Sequence, residues 1–181
     1  MRLFVALDIP GPIRSKLSGY MDRVRGYSPE SKWARVEGLH VTLKFIGEVK
    51  DEKLEAIKAA LADAKAPPFQ VAFEGIGFFP NTRAPRVFWA GVNADDSLSR
   101  LANSVDDALV KIGYEPEDKA YHPHLTLARA RERELRALTP LLESEDQPHF
   151  GTMTAREFFL YQSHTGRGGS RYDKLETFRL A

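Results

Sequence analysis

The chain contains no cysteine. Disulfides, thiolate metal sites and a cysteine nucleophile are therefore all excluded, and a reducing compartment, the cytoplasm, is the expected location. No apolar run approaches the length of a membrane helix. The opening MRLFVALDIP has one basic residue and a short apolar run ended by Asp8 and Pro10, which suits a first strand and not a signal peptide or a span. Neither a glycine-rich P-loop nor a run of clustered carboxylates is present, so no metal and no cofactor is expected. The net charge of +1 lacks the excess of cations needed to hold long duplex nucleic acid, although a small anionic group remains within reach. Basic residues cluster locally at Arg83/Arg86, at Arg129 to Arg136, and at Arg167, Arg171 and Lys174. A solvated face is the expectation for Arg131 to Arg136.

At 181 residues the chain is long enough for one well-buried domain or two small lobes sharing a core, and one compact unit over 1–181 is expected. Strand patterns fall at Leu3–Leu7, His40–Ile46, Phe69–Phe79, Val87–Val92, His124–Ala128 and Glu157–Tyr161, with a weaker one near Tyr172–Phe178. Helical periodicity joins Ile13, Leu17, Met21 and Val24, then Leu54, Ile57 and Leu61, then Leu98 to Ile112 before Gly113, and more briefly Leu135 and Leu138. Asp51 and Asp95 stand where N-caps of the second and third helices are useful. The mixture predicts an α+β fold.

One tetrapeptide pattern occurs twice, as His40-Val-Thr-Leu and His124-Leu-Thr-Leu, 84 positions apart (124 − 40). Each copy is followed by a helical pattern (51–65; 131–142) and then a strand pattern (69–79; 157–161). Two pseudo-symmetric lobes follow, each presenting an equivalent strand to a shared central cleft. Residues i and i+2 of a strand share a face, so His40 pairs with Thr42 and His124 with Thr126, while Val41, Leu43, Leu125 and Leu127 turn inward.

A single His-x-Thr is most simply an amphipathic strand with a half-buried histidine. With eight Thr in the chain, a given His meets Thr two positions on by chance roughly once in twenty, and two hits each followed by Leu are not explained that way. Two facing imidazoles suit in-line displacement at phosphorus. One neutral ring takes a proton from water and one protonated ring gives a proton to the departing oxygen, while the Thr hydroxyls donate to the non-bridging oxygens.

The sequence resembles the two-histidine phosphoesterase superfamily and, within it, the RNA 2′,3′-cyclic phosphodiesterases, also called 2′-5′ RNA ligases. The resemblance rests on RLFVALDIP, HVTLKFIGE, GIGFFPNTRAPRVFWAGV, HPHLTLAR and LYQSHTGRGGSRYDKL, and spans nearly the whole chain. It implies two lobes of antiparallel sheet flanked by helices, each carrying one catalytic His. It further implies His40 as proton donor, His124 as proton acceptor, Thr42 and Thr126 on the phosphate, Arg129 near it, and Phe45 as a stacking surface for a nucleobase, with a plain core position as the equal alternative for Phe45. Hydrolysis of RNA 2′,3′-cyclic ends to 2′-phosphomonoesters is the implied activity, with reversible 2′-5′ ligation as a minor one.

The competing readings keep the chemistry on a small cyclic nucleotide, an ADP-ribose cyclic phosphate or a 2′-5′ oligoadenylate, or make the chain a non-catalytic RNA-end binding module. Intact His and Thr in both motifs favour turnover. RNA ends or small cyclic-phosphate nucleotides are the expected partners, with no membrane and a monomeric chain. His122-Pro-His124 can be read as a metal pair, but lacks a third ligand at a recognisable spacing; His149 and His164 have no motif partner. The Gly166–Arg171 segment reads as a hairpin tip ahead of a phosphate-binding loop, and it is more polar and Gly-rich than the family pattern.

Overall fold

The computed structural model describes residues 1–181, the side chain of Glu132 excepted. Nine strands form two antiparallel sheets. Strands β1 (Arg2–Leu7), β2 (Lys32–Trp33), β3 (Val41–Glu48), β4 (Phe69–Phe79), β5 (Val87–Asn93), β6 (His124–Arg129), β7 (His149–Ala155), β8 (Glu157–Gly166) and β9 (Gly169–Arg179) are ordered β3-β1-β8-β9 in the first sheet and β2-β6-β5-β4-β7 in the second. The α+β architecture and the separation of the two His-x-Thr segments between sheets match the expectation.

The helices follow their apolar spacing. Helix α1 (Gly11–Val24) buries Ile13, Leu17, Tyr20, Met21 and Val24 and packs on β7, with the Tyr20 ring edge-on to Phe150. Helix α2 (Leu54–Leu61) packs on α3 (Asp96–Val110), which in turn covers β3. Asp95 caps α3, its Oδ1 accepting from the Ser97 N–H at 2.8 Å, and Gly113 ends the turn beyond it at φ +103°, where a side chain would be strained. Asp51 does not cap α2. It opens a short 3-10 turn (Asp51–Lys53) and makes no capping bond. The last helical pattern is a short α4 (Glu132–Leu135) running into a 3-10 stretch, Arg136–Glu143, around Pro140.

The duplication has an arrangement that the order of elements does not show. Shifting by 84 residues brings β3 onto β6, β1 onto β5, α1 onto α3 and β4 onto β8. The equivalent sheet cores are thus β3-β1-β8 and β6-β5-β4: each copy's last strand sits in the other copy's sheet. The lobes are not the two sequence halves, because these exchange strands. One continuous buried cluster runs from Leu3, Val5 and Leu160 of the first sheet to Phe73, Phe88 and Leu127 of the second.

Candidate active site

Each motif sits in a strand with an extra residue inside the motif, and β3 has a second one, Ile46, further along. In the pairing of β1 with β3, Val5 faces Lys44 and Ala6 faces Thr42, which leaves Leu43 without a partner. In the pairing of β5 with β6, Phe88 faces Ala128 and Trp89 faces Thr126, which leaves Leu127 out. The bulged residue is the Leu of the motif both times. Leu43 and Lys44 are buried together, as are Leu127 and Ala128. A bulge inserts one residue and shifts the period-two alternation, so the residue five after each His returns to the polar face that an unbulged strand would deny it. Those residues are Phe45 and Arg129, themselves 84 apart (129 − 45) and both exposed. Phe45 is 70% exposed and packs obliquely on Phe4, so it is not a core residue.

The two imidazoles are oriented identically. His40, which immediately precedes β3 instead of opening it, has its Nδ1 3.0 Å from the Gly38 carbonyl. His124, the first residue of β6, has its Nδ1 2.8 Å from the His122 carbonyl. A carbonyl only accepts, so each Nδ1 carries the proton and each Nε2 is left for a ligand. His122 therefore supports His124 through its backbone, and its ring is exposed. Among the described residues no group of three or more His, Asp or Glu converges on it. Thr42 and Thr126 are half-buried, and no hydrogen bond engages either hydroxyl among the described residues.

Their surroundings differ. His40 lies against Tyr161 (ring centroids 4.5 Å), Tyr172 (5.2 Å) and Phe4 (5.7 Å). With Ala6 and Phe159 these form a small second apolar cluster on the open face of the first sheet. Gly38 makes room for the Tyr172 ring, which a Cβ at that position would meet at 3.0 Å and push aside. Burial lowers the His40 pKa to about 4, assisted by the Arg14 guanidinium and Lys174 and opposed by the Gly38 bond and Asp8. Arg14 is itself fixed by Asp8 Oδ1 at 2.9 Å and by the Ile9 carbonyl at 3.0 Å. Burial pushes the Asp8 carboxyl up, but hydrogen bonds from Lys174 and Arg14 outweigh it and hold the group below its ordinary range. His124 has one aromatic neighbour, Phe79, edge-on at 5.0 Å, which in turn leans on Trp89 at 5.4 Å.

The segment ahead of His124 is stitched to β3. The Tyr121 hydroxyl donates to the Thr42 carbonyl at 2.7 Å. Lys44 Nζ donates to Asp106 Oδ1 at 2.6 Å and to the Glu115 carbonyl at 3.0 Å, and lies 3.1 Å from Glu117 Oε1. A hydrogen bond three residues before one His thus ends two residues after the other. The expected Gly166–Arg171 segment is the β8–β9 hairpin tip, where the Arg35 guanidinium donates to the Gly168 carbonyl. Phe4, Tyr161 and Tyr172 lie in stretches that carry the family resemblance, which implies no role for them; Tyr121 and Arg14 lie in none of those stretches, and only the tertiary fold brings all five to the neighbourhood of the motifs.

Comparison with known proteins gives the family and the fold. The model of the LigT-like phosphoesterases matches twice, over residues 7–89 and 91–172. The chain belongs to that family. The two matches start 84 residues apart (91 − 7), the spacing of the histidines, so the family's unit is itself the duplicated one. Family relatives include the RNA 2′,3′-cyclic phosphodiesterases of Archaeoglobus fulgidus, 40% identical over 98% of this chain and 99% of that one, and of Methanothermobacter thermautotrophicus, 34% identical over 99% of each. Among solved structures of the family, Escherichia coli LigT complexed with 3′-AMP superposes with a TM-score of 0.80 at 29% identity, covering 99% of this chain and 97% of that one.

Proposed function

We propose that this chain hydrolyses RNA 2′,3′-cyclic phosphodiester ends to 2′-phosphomonoesters, His124 serving as proton acceptor and His40 as proton donor. The observation that carries the reading is the matched pair of Nδ1 bonds, which leaves Nε2 free on both rings. Water attacks phosphorus as His124 Nε2 takes its proton; the P–O3′ bond breaks as His40 Nε2 delivers a proton to O3′. Thr42 and Thr126 donate to the non-bridging oxygens, Arg129 neutralises charge, and Phe45 offers its exposed ring to a base. Reversible 2′-5′ ligation is the same displacement with a ribose hydroxyl in place of water.

A donor must be protonated, and free His40 titrates at about 4. The substrate supplies the correction. One phosphodiester anion about 5 Å away, at an effective dielectric of about 20, interacts by roughly 3 kcal/mol, or about two pKa units. Binding of the anion therefore brings His40 back toward the ordinary histidine range, where a protonated fraction is available beside the oxygen that must leave.

One chain holds both histidines, so the reading needs no second copy, and the core continuous through both sheets supports a single bilobal unit over 1–181. The lack of cysteine fits a cytoplasmic enzyme; no helix is long and apolar enough to cross a membrane. The test is turnover of an oligonucleotide ending in 2′,3′-cyclic phosphate, with the product separated against both authentic isomers. The 2′-phosphate is expected almost alone. Predominant 3′-phosphate would reverse the acid and base roles, and no turnover would remove the reading.

A further inference from the structure

Beyond the motif residues, one end of the second sheet gathers cations. Lys32 and Val87 are the cross-strand partners of Arg129, the Ala130 N–H donates to the Arg86 carbonyl at 3.1 Å, and Arg136 Nε donates to the Arg83 carbonyl at 3.1 Å. The start of β2, the β4–β5 loop and the end of β6 thus meet at one place. Lys32, Arg83, Arg86, Arg129, Arg131 and Arg133 are exposed, and none of them is in an ion pair among the described residues. Around the first sheet more of the cations are paired: Arg14 and Lys174 with Asp8, Lys44 with Asp106 and Glu117, and Arg171 with Asp173, while Arg2, Arg167 and Arg179 are exposed without an ion pair among the described residues.

Along the segments that meet there, 30–32, 83–86 and 129–136, the sequence carries seven Lys or Arg against three Glu, a balance of +4 in a chain of net +1. The rest of the molecule is therefore −3. One of the three acids is engaged by main chain, Glu134 accepting from the Arg131 N–H at 3.3 Å. The six exposed cations named above, which are in no ion pair among the described residues, repel one another, and an anionic partner removes that cost; guanidinium groups suit phosphate oxygens in particular. The patch starts at Arg129, which with Leu127 bulged out lies two ladder positions from Thr126 (their partners are Val87 and Trp89), roughly 7 Å by strand rise, and extends away from the motif.

We propose that this patch, with Arg83 and Arg86 at its centre, is a track for the single-stranded RNA leading into the cyclic end. The preferred substrate is then a polynucleotide and not a cyclic mononucleotide. The proposal rests on the reading of the site as an RNA cyclic phosphodiesterase. The modest number of cations, in a chain with little net charge, suits a single strand whose last base stacks, and not a long duplex.

The test compares the wild type with an Arg83→Ala/Arg86→Ala variant. Both side chains are exposed, and only their main-chain groups enter the hydrogen bonds above. The substrates are 2′,3′-cyclic AMP and an oligoribonucleotide of roughly ten residues ending in 2′,3′-cyclic phosphate, a length suited to one single-strand site. For the oligonucleotide, KM is expected to rise about tenfold at low salt, and the slope of log KM against log salt to fall by about 1.4, the loss of two phosphate contacts. Its kcat and both constants for the mononucleotide should not move. An unchanged KM and salt slope for the oligonucleotide would overturn the track. Equal losses on both substrates would also overturn it, placing these arginines on the reacting phosphate. If the wild type turned over neither substrate, the site reading would fail by itself; fluorescence anisotropy with a 3′-hydroxyl oligonucleotide would still decide the track. Weaker, less salt-dependent binding by the variant supports it, and identical binding overturns it.

Discussion

His40 and His124 share a tetrapeptide, a bulge and an Nδ1 bond to the carbonyl two residues back, yet they occupy different environments. Three aromatic rings surround His40, and burial with help from Arg14 and Lys174 lowers its pKa to about 4 against the opposing Gly38 bond and Asp8, whereas His124 meets the ring of Phe79. The positions five residues on diverge as well, to an exposed phenyl ring at 45 and an exposed guanidinium at 129. Duplication supplied a symmetric scaffold, and the roles come from what each lobe packs around it.

The strongest way to break the comparison is to separate the copies. Because β4 sits in the second sheet and β8 in the first, residues 1–84 and 85–181, cut in the loop between β4 and β5 and expressed alone, each lack a central strand and should show no cooperative thermal transition. Mixing the two fragments should restore one. A half that folds by itself would show that the exchange of strands is not obligatory.

Next in size are the histidines. His40→Ala and His124→Ala should each lower turnover of the cyclic-phosphate oligonucleotide by about 10²–10⁴-fold, with much smaller effects on binding. The double variant should be little worse than either single one, as for groups that act as a unit. Near-normal turnover in either single variant would leave one lobe without a chemical role.

Acid should then distinguish the lobes through stability. His40 titrates near 6.5 in the unfolded chain and at about 4 in the folded one. Between those values the unfolded state binds more protons, so stability rises with pH. The contribution is complete above about 6.5 and is lost as pH falls through about 4, up to roughly 3 kcal/mol from a shift of this size. Denaturation curves recorded from pH 4 to 7 should be less pH-dependent in His40→Gln than in the wild type. An equal dependence would mean that His40 is not held neutral.

Thr42→Val and Thr126→Val should cost less, about 1.5–3 kcal/mol of transition-state stabilisation each, read from kcat/KM. A larger loss from either Thr than from its own His would move the chemistry to the hydroxyls. The smallest effect expected is none: EDTA should leave turnover intact, since side chains supply both proton transfers. Activity lost on chelation and restored by a divalent metal would revive the His122-Pro-His124 pair as ligands.

Much of this was legible along the chain. Apolar periodicity located seven of the strands, three helices and, in part, the fourth, whose Leu135 and Leu138 fall in a short α-helix and the 3-10 stretch after it, because a strand or helix with one buried face must repeat at its own period. Two strands were not legible. Lys32–Trp33 is too short to alternate, and His149–Ala155 interrupts its pattern with Gly151 at φ +129°, packed against Ile13 of α1. The hairpin of β8 and β9 also runs further than its apolar residues, since main-chain pairing continues to Gly166 and Gly169 after the side chains become polar.

By itself the sequence determined the chemistry available: two His-x-Thr segments 84 residues apart, an inward-facing apolar partner for each, and no thiol. Tertiary structure decided how that chemistry is disposed. A bulge arises between two strands and is invisible in one, so only pairing could bring Phe45 and Arg129 to the polar faces. The exchange of β4 and β8 depends on contacts between residues many positions apart. The His40 pKa is set by burial among Phe4, Tyr161 and Tyr172, which come from β1, β8 and β9 and become neighbours only when the first sheet closes; desolvation is a property of that assembled surface and not of any residue in it.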